Sequence, residues 1–417
     1  MKKIICACLL LMGVAACTDK VQAPAEGRRS VGVVSETLRP DRGQPVLAAG
    51  KKVSAWPMRF QNAGNRQPSV RWNGTLKPKT LSVGRGLSGD RLTMAGPIVL
   101  KHRAYTLDSH FQLQATDIAT GKRLFRTPLA EITGTVAHSI GLASDGHNLY
   151  AVAGDGTIVA TDLTGKEQWR MTVKAPLRSA PVVAKGTLFV SAINNRVFAV
   201  DTRTGREKWH YDGEPTVTNF FGMGTPAVSG DLVIVPMTNG RINAFDRTTG
   251  VLVWTEILWS KRTYNQIMDI PHITASPVVD GDTVYLVGNA GKSGAWRVAD
   301  GTNIWTAPIG GRETPAISGN ALFLMTNTNR LVALNKKTGR VFWERELPTQ
   351  KRGEWYGPVV SGTELVLASS AGDVVFLNAK TGREVRRTHQ GVPVGAPVIA
   401  DGALMTLMTD GDLVIYK

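Results

Sequence analysis

One eleven-residue segment recurs along the chain and constrains the fold more than any other feature. At residues 199–209 it reads Ala-Val-Asp-Thr-Arg-Thr-Gly-Arg-Glu-Lys-Trp. The glycine of the corresponding turn returns at intervals of 38 to 51 residues, at Gly121, Gly165, Gly205, Gly250, Gly301, Gly339 and Gly382. A period in this range is typical of repeated supersecondary units. The sequence therefore predicts one repeat array rather than several domains with separate cores.

Each copy of the repeat predicts two strands joined by a tight turn. An alternating apolar run such as 197–200 indicates a strand by its period of two. An Asp or Asn then caps a turn, and the glycine supplies the positive φ that closes it. Four residues after the glycine, six of the seven copies carry an aromatic residue, and Arg386 replaces it in the seventh. We expect each ring to bury about 150–250 Å² between neighbouring units.

Two further strands precede each pair, as at 180–183 and 187–190, which gives the four antiparallel strands of a β-propeller blade. Seven units are complete, and an eighth begins at 396–399 but ends at 413–416 without an outer strand. The strand 69–72, which carries Trp72, is predicted to complete it, because pairing the termini removes an exposed sheet edge. We predict an all-β fold, an eight-bladed β-propeller of four-stranded antiparallel blades with the last blade closed by an N-terminal strand. A seven-bladed ring with a separate N-terminal segment is the alternative.

The N-terminus has the pattern of an export signal. Lys2 and Lys3 precede an apolar run over 4–14 that is too short to span a membrane as a stable helix, and Cys17 follows two alanines. All three cysteines lie in the first 17 residues, so the rest of the chain has no disulfide, no Cys metal site and no Cys nucleophile. We predict a signal peptide over 1–17, a flexible tether over 18–52 and the propeller over 53–417.

This N-terminus resembles a bacterial lipoprotein signal, since Val14-Ala-Ala-Cys17 matches the cleavage pattern of that class. The resemblance implies cleavage before Cys17 and acylation of that residue. Thr18, rather than Asp, follows the cysteine, which by the same resemblance implies sorting to the outer membrane, with the propeller facing the periplasm. Three acyl chains would anchor the protein firmly, at ~0.8 kcal/mol per buried CH₂. An ordinary secretory signal with an incidental cysteine is the alternative.

The chain is strongly basic, with a formal net charge of +16. Such a charge permits attraction to anionic surfaces or acidic partners. The basic residues are scattered, and no aromatic platform of the kind used by single-strand binders is interleaved with them. Nucleic acid is therefore not a predicted partner, and a generally solvated basic surface is the simpler interpretation.

One face of the ring is predicted to carry the function. The turns on the opposite face are short, whereas the loops between blades are long, variable and rich in aromatic residues, as at 212–224, 257–274 and 350–356. No nucleophile elbow, phosphate-binding loop, carboxylate pair or paired-histidine metal spacing stands apart from the repeats. The sequence favours a binding scaffold over an enzyme.

The Ala-x-Asp-x-x-Thr-Gly-x-x-x-Trp repeat resembles the quinoprotein-type propeller repeat over about residues 56–417. That family includes PQQ-dependent alcohol dehydrogenases and the BamB lipoproteins of the outer-membrane β-barrel assembly (BAM) complex, and segments 269–271, 355–358 and 395–399 resemble α-proteobacterial BamB. The BamB resemblance implies no catalytic residue, no metal and no cofactor. It implies a scaffold that binds a POTRA domain of BamA and other BAM subunits and aids the folding and insertion of nascent β-barrel proteins. A PQQ-dependent dehydrogenase or its relic, and another periplasmic binding propeller, are the alternatives.

By the same resemblance, the partner-binding residues are Leu177, Arg178 and Asp269. Leu177 would offer an apolar anchor, and Arg178 a planar fork for a carboxylate or backbone carbonyls. In the family, this contact also uses acidic residues from another inter-blade loop, and Asp269 matches one of them. The alternative is that Arg178 forms a salt bridge with a neighbouring loop of its own chain.

Overall fold

The computed structural model describes residues 38–89, 91, 93–130, 140–216, 222–258, 271–348 and 353–417. These residues form eight four-stranded antiparallel sheets, which confirms the eight-bladed β-propeller. Cys17 and Asp269, on which two of the expectations rest, lie outside these ranges. Within the ranges, no helix has the length and apolar character needed to cross a membrane.

The strands of the first four blades are given from the innermost to the outermost. Blade 1 contains Ala95–Leu100, Arg103–Leu107, Gln112–Asp117 and Arg123–Pro128. Blade 2 contains Ile140–Ser144, Asn148–Ala153, Thr157–Asp162 and Glu167–Thr172. Blade 3 contains Val182–Ala184, Thr187–Ala192, Arg196–Asp201 and Glu207–Tyr211. Blade 4 contains Ala227–Ser229, Leu232–Pro236, Arg241–Asp246 and Leu252–Ile257.

The last four blades follow the same order. Blade 5 contains Val278–Asp280, Thr283–Val287, Ser293–Arg297 and Asn303–Ala307. Blade 6 contains Ala316–Ser318, Ala321–Met325, Arg330–Asn335 and Val341–Glu346. Blade 7 contains Trp355–Ser361, Glu364–Ser369, Asp373–Asn378 and Glu384–His389. Blade 8 contains Val398–Ala400, Ala403–Leu407, Asp412–Tyr416 and, as its outer strand, Pro78–Ser82.

The two faces of the ring carry different connections. Because each blade runs up and down, the turns from its first to its second strand and from its third to its fourth share one side, which we call the turn face. The connections from second to third strands and from one blade to the next share the other side, which we call the loop face. In seven of the eight sheets, strands that are neighbours in the sheet are also consecutive in the chain, and this order fixes the arrangement.

The repeated tryptophans join each of blades 2 to 6 to the blade that follows it. The Trp209 ring of blade 3 covers Gly250 of blade 4 so closely that a β-carbon added there, at φ +75°, would lie 2.7 Å from the ring. Its indole nitrogen donates a 3.0 Å hydrogen bond to the Arg247 carbonyl of the same turn. Equivalent indole-to-carbonyl bonds join blades 2 to 3, 4 to 5, 5 to 6 and 6 to 7. The predicted inter-blade role of these rings is confirmed.

An N-terminal strand closes the ring, as predicted, but it is Pro78–Ser82 and not the strand expected at 69–72. Lys79 takes the cross-strand position that tryptophan holds in other blades, opposite Ile415. Its ammonium donates a 2.7 Å hydrogen bond to the Thr120 carbonyl of blade 1. A long side chain with a charged tip can make this contact between blades 8 and 1 without an aromatic ring. The strand therefore has no aromatic residue by which the sequence could reveal it.

Trp72 packs on blade 7 rather than on blade 8. It stacks on Phe376 of blade 7, with ring centroids 5.6 Å apart and planes inclined by 18°. Arg386, the residue that interrupts the aromatic pattern, lies opposite Phe376 in the sheet, and its guanidinium carbon is 4.3 Å from the Phe376 ring centre and 5.3 Å from that of Trp72. The N-terminal segment therefore supplies the aromatic residue that the outer strand of blade 7 lacks.

The segment 51–72 crosses the centre of the turn face. Its backbone hydrogen-bonds to the innermost strands, or to the residue after them, in blades 8, 1, 2, 4, 5 and 7. The Asn65 amide reaches further in and donates to the carbonyls of Thr225, Pro226 and Pro277. The innermost strand of a blade has one edge whose backbone groups no other strand of that blade can pair. The segment 51–72 forms hydrogen bonds with some of these groups.

The packed unit begins at Leu38, earlier than the boundary expected at residue 53. Val341 at the start of the outer strand of blade 6 donates to the Arg39 carbonyl, and Asp41 donates back to the Val341 carbonyl at 2.8 Å. Val46 donates to the Asn320 side chain of the same blade at 2.7 Å. Residues 38–52, assigned to the tether from composition, are thus held against blades 6 and 7 over this stretch.

Candidate functional site

The loop between blades 2 and 3 forms a short ribbon on the loop face. Leu177 forms an antiparallel bridge with Ala192, and the Arg178 amide donates a 2.9 Å hydrogen bond to the Ser191 carbonyl. The Ser191 amide in turn donates to the Ser179 hydroxyl at 2.9 Å. These bonds tie the loop to the second strand of blade 3, so the backbone at Arg178 is fixed before any partner arrives.

The Arg178 side chain is half-buried and carries a donor that the described residues leave unpaired. Its Nη1 is enclosed by protein and has no hydrogen-bond partner among the described residues. Desolvation lowers the pKa of Arg178, and no carboxylate of the described residues contributes to that shift. No ion pair within the described ranges includes it, so the alternative of an internal salt bridge gains no support there. A buried donor without a partner costs about 1–3 kcal/mol, which an acceptor from another molecule would recover.

Leu177 lies on the inner side of the ribbon. Its side chain is fully buried in the core shared by blades 2 to 4. Successive residues of an extended chain point to opposite sides, so an outward Arg178 requires an inward Leu177. The apolar contact expected from Leu177 has no exposed surface in this structure, and the residue instead holds the backbone that presents Arg178.

Two neighbouring loops adjoin this ribbon. The Met223 amide, in the loop before blade 4, donates a 2.9 Å hydrogen bond to the Arg178 carbonyl. His272, in the loop before blade 5, is buried and interacts with the backbone of Gly222, and burial lowers its pKa to about 4. His272 is therefore neutral at pH 7. The ribbon and the described parts of the loops before blades 4 and 5 are therefore contiguous. Asp269 lies outside the described residues.

A cluster of charged groups borders the same surface. Arg196 bonds to Asp212 at 2.5 Å, and the Arg196 guanidinium carbon lies 5.1 Å from the Phe198 ring centre. His210 contacts Glu207 at 2.6 Å and Asp212 at 3.6 Å. Arg196 and His210 both have carboxylate partners, which distinguishes them from Arg178.

Sequence reasoning did not identify Ser179 and Ser191 as supports of the ribbon. A related sequence pattern exists in blades 4 to 6, where a Ser or Thr is followed by a proline just before the innermost strand. The Thr225 amide donates to the Ser276 hydroxyl at 2.8 Å, and the Ser276 amide donates to the Thr314 hydroxyl at 3.0 Å. These hydroxyls join adjacent blades, a role that no local pattern reveals.

The repeated carboxylates serve as turn caps. Asp246 accepts hydrogen bonds from the amides of Thr248 and Thr249 at 2.9 and 2.7 Å and from the Thr249 hydroxyl at 2.9 Å. The backbone bond from Thr249 is the main cause of the lowered pKa of Asp246. Asp162 and Asp201 are bonded in the same way. Over the described part of the chain, no group of three His, Cys, Asp or Glu side chains is placed to hold a metal ion.

The fold and the loop-face surface define a class, the eight-bladed propellers built from quinoprotein-type repeats. Within that class, the family of outer membrane protein assembly factor BamB matches residues 109–345 and 333–417. The chain belongs to the BamB family.

Individual relatives agree with this assignment. Outer membrane protein assembly factor BamB of Moranella endobia is 24% identical over 262 residues, which are 61% of this chain and 68% of that protein. The crystal structure of BamB from Moraxella catarrhalis superposes with a TM-score of 0.68 at 20% identity, covering 81% of this chain and 100% of that one. The quinohemoprotein alcohol dehydrogenase of Comamonas testosteroni gives 0.67 at 14% identity, covering 88% and 80%. At these identities the two structural similarities show the fold alone.

Proposed function

We propose that the chain is a lipid-anchored, non-enzymatic subunit of the outer-membrane β-barrel assembly complex. Its propeller faces the periplasm, binds a POTRA domain of BamA through the loop face and aids the folding and insertion of nascent β-barrel proteins. The observation that carries the proposal is Arg178, a half-buried guanidinium on a rigid ribbon with an Nη1 that no described residue pairs. Family membership supports the choice of partner.

The chemistry of Arg178 fits a protein partner. Its guanidinium is planar and always charged, so it can bind a carboxylate or two backbone carbonyls at once. Arginine is also enriched among residues that dominate binding energy. Asp269, from the third loop, would add an acidic contact, and Leu177 would act through the backbone of Arg178.

A scaffold role accounts for the acidic residues of the repeats. Carboxylates such as Asp246 accept three hydrogen bonds inside their own turns, and their role there is structural. The shared fold with quinohemoprotein dehydrogenases makes quinone uptake the alternative to exclude. Protein reconstituted with PQQ and Ca²⁺ should show no quinone absorbance after gel filtration. Stoichiometric uptake of PQQ would favour the dehydrogenase hypothesis.

The direct test of the proposal is affinity purification from detergent-solubilised membranes. A tagged wild-type chain should recover BamA and other subunits of the complex in stoichiometric amounts. Recovery of the tagged chain alone, under conditions that keep the rest of the complex together, would contradict the proposal.

The lipid anchor can be tested separately. If Cys17 is acylated, Cys17→Ser should move the protein from the salt-washed membrane fraction to the soluble fraction in cells that lack the assembly partner. The physical reason is that acyl chains buried in the bilayer resist high salt, whereas a propeller without them has no membrane contact of comparable strength. Unchanged sedimentation of the variant in those cells would count against acylation at this residue.

A further inference from the structure

Five basic residues occupy one repeated position on the turn face. Each follows the glycine of the turn between the third and fourth strands of its blade, and we call them the basic turn ring: Lys122, Lys166, Arg206, Arg340 and Arg383. All five side chains are exposed. Their amides are hydrogen-bonded within the turn, four to a threonine hydroxyl and one to a carboxylate, so the turns hold the side chains outward.

The ring is not neutralised by paired carboxylates. Among the ion pairs of the described residues, none includes a member of the ring, although other basic residues of the same face are paired, as in Lys185 with Asp231 and Lys336 with Asp280. In blades 1 to 3 the turn aspartates offset part of the charge. In blades 6 and 7 the turn residue is Asn335 or Asn378, which carries no charge.

The N-terminal chain arrives at the most basic part of this face. Residues 39–41 are bonded to Val341, which directly follows Arg340. Exposed Lys51 and Lys52 then begin the segment that crosses the centre of the face. The first described residues therefore join the propeller on its turn face.

Blade 4 has an apolar residue in the ring position. Val251 follows Gly250 and is 63% exposed, and the adjacent Leu252 is 43% exposed. Basic residues around an exposed apolar tip are the composition that binds the interface of an anionic bilayer, by charge attraction and shallow burial of the tip.

From these observations we propose that the turn face docks on an anionic phospholipid surface, with the basic turn ring contacting the headgroup phosphates. The opposite loop face then remains free for a protein partner. This inference adds a second surface to the proposed function and does not depend on the Arg178 site.

The test is sedimentation of residues 18–417, which contain the whole packed unit, with vesicles of phosphatidylcholine alone or mixed with phosphatidylglycerol. The protein should bind the phosphatidylglycerol vesicles, and added salt should weaken the binding. Lys122→Gln, Arg340→Gln and Arg383→Gln together should weaken it by roughly 100-fold, since each basic residue near such a surface contributes about fivefold.

A matched variant separates a specific face from general attraction. Arg85→Gln, Lys174→Gln and Arg241→Gln remove the same charge from exposed positions toward the loop face, and this protein should bind vesicles like the wild type. An equal loss in both triple variants, binding to phosphatidylcholine alone, or no binding to phosphatidylglycerol would each overturn the inference. The ring variant should still co-purify with BamA, so the two proposals fail independently.

Discussion

Trp209→Ala should lower the free energy of unfolding by about 3–5 kcal/mol, the range found when a large buried aromatic side chain is truncated. The side chain is 8% exposed and packs near Phe189 of its own blade and Phe245 of the next, with ring centres 5.9 and 6.1 Å apart. Truncation opens a cavity between two blades and removes the hydrogen bond to Arg247. Urea unfolding followed by circular dichroism measures the loss.

Two control variants make the result specific. Trp209→Phe keeps most of the ring and loses the indole donor, so it should cost about 1–2 kcal/mol. Val253→Ala truncates an apolar residue of an outer strand that is 48% exposed, and it should cost less than about 1 kcal/mol. Small and equal losses for Trp209→Ala and Val253→Ala would show that the repeated tryptophan does not join the blades.

Arg178→Glu should abolish co-purification with BamA while leaving folding and membrane anchoring intact. A buried arginine at the centre of an interface commonly accounts for 2 kcal/mol or more, about a thirtyfold change in affinity, and charge reversal adds repulsion to that loss. Affinity purification with quantitative detection of BamA measures the effect. Asp269→Arg should weaken the same complex.

The control for this substitution is Lys174→Glu. Lys174 is exposed, lies four residues earlier on the same loop and has the same charge, so its reversal should leave BamA recovery near the wild-type level. Circular dichroism should be unchanged for both variants. Full recovery of BamA by an Arg178→Glu, Asp269→Arg double mutant would place the interface elsewhere on the ring.

The ring of eight blades could be predicted from sequence because its signals are local. Strand alternation, the turn glycine and the aromatic residue four positions later all lie within about eleven residues of one another. The closing strand was assigned incorrectly for the same reason. The aromatic signal of Trp72 was used to find that strand, whereas Lys79 fills the position and Trp72 packs beside Arg386 of another blade.

Contacts that exist only after the ring has closed were not predictable. Residues 38–72 have no periodicity, and they are held by backbone hydrogen bonds to strands, or to the residue after a strand, in seven blades. At the site, the family resemblance suggested Arg178, and its Nη1 has no partner among the described residues; its role in binding stays a prediction. The burial of Leu177 follows from the alternation of an extended chain, but only once the loop is known to be extended.

The central claim is that the loop face, at Arg178, meets the protein partner. Its most direct test is photo-crosslinking in intact cells, with a crosslinking amino acid placed at Arg241 on the loop face or at Arg340 on the turn face, both exposed. The account predicts crosslinks to BamA from the loop-face position and none from the turn-face position. Crosslinks to BamA from Arg340 alone would contradict it.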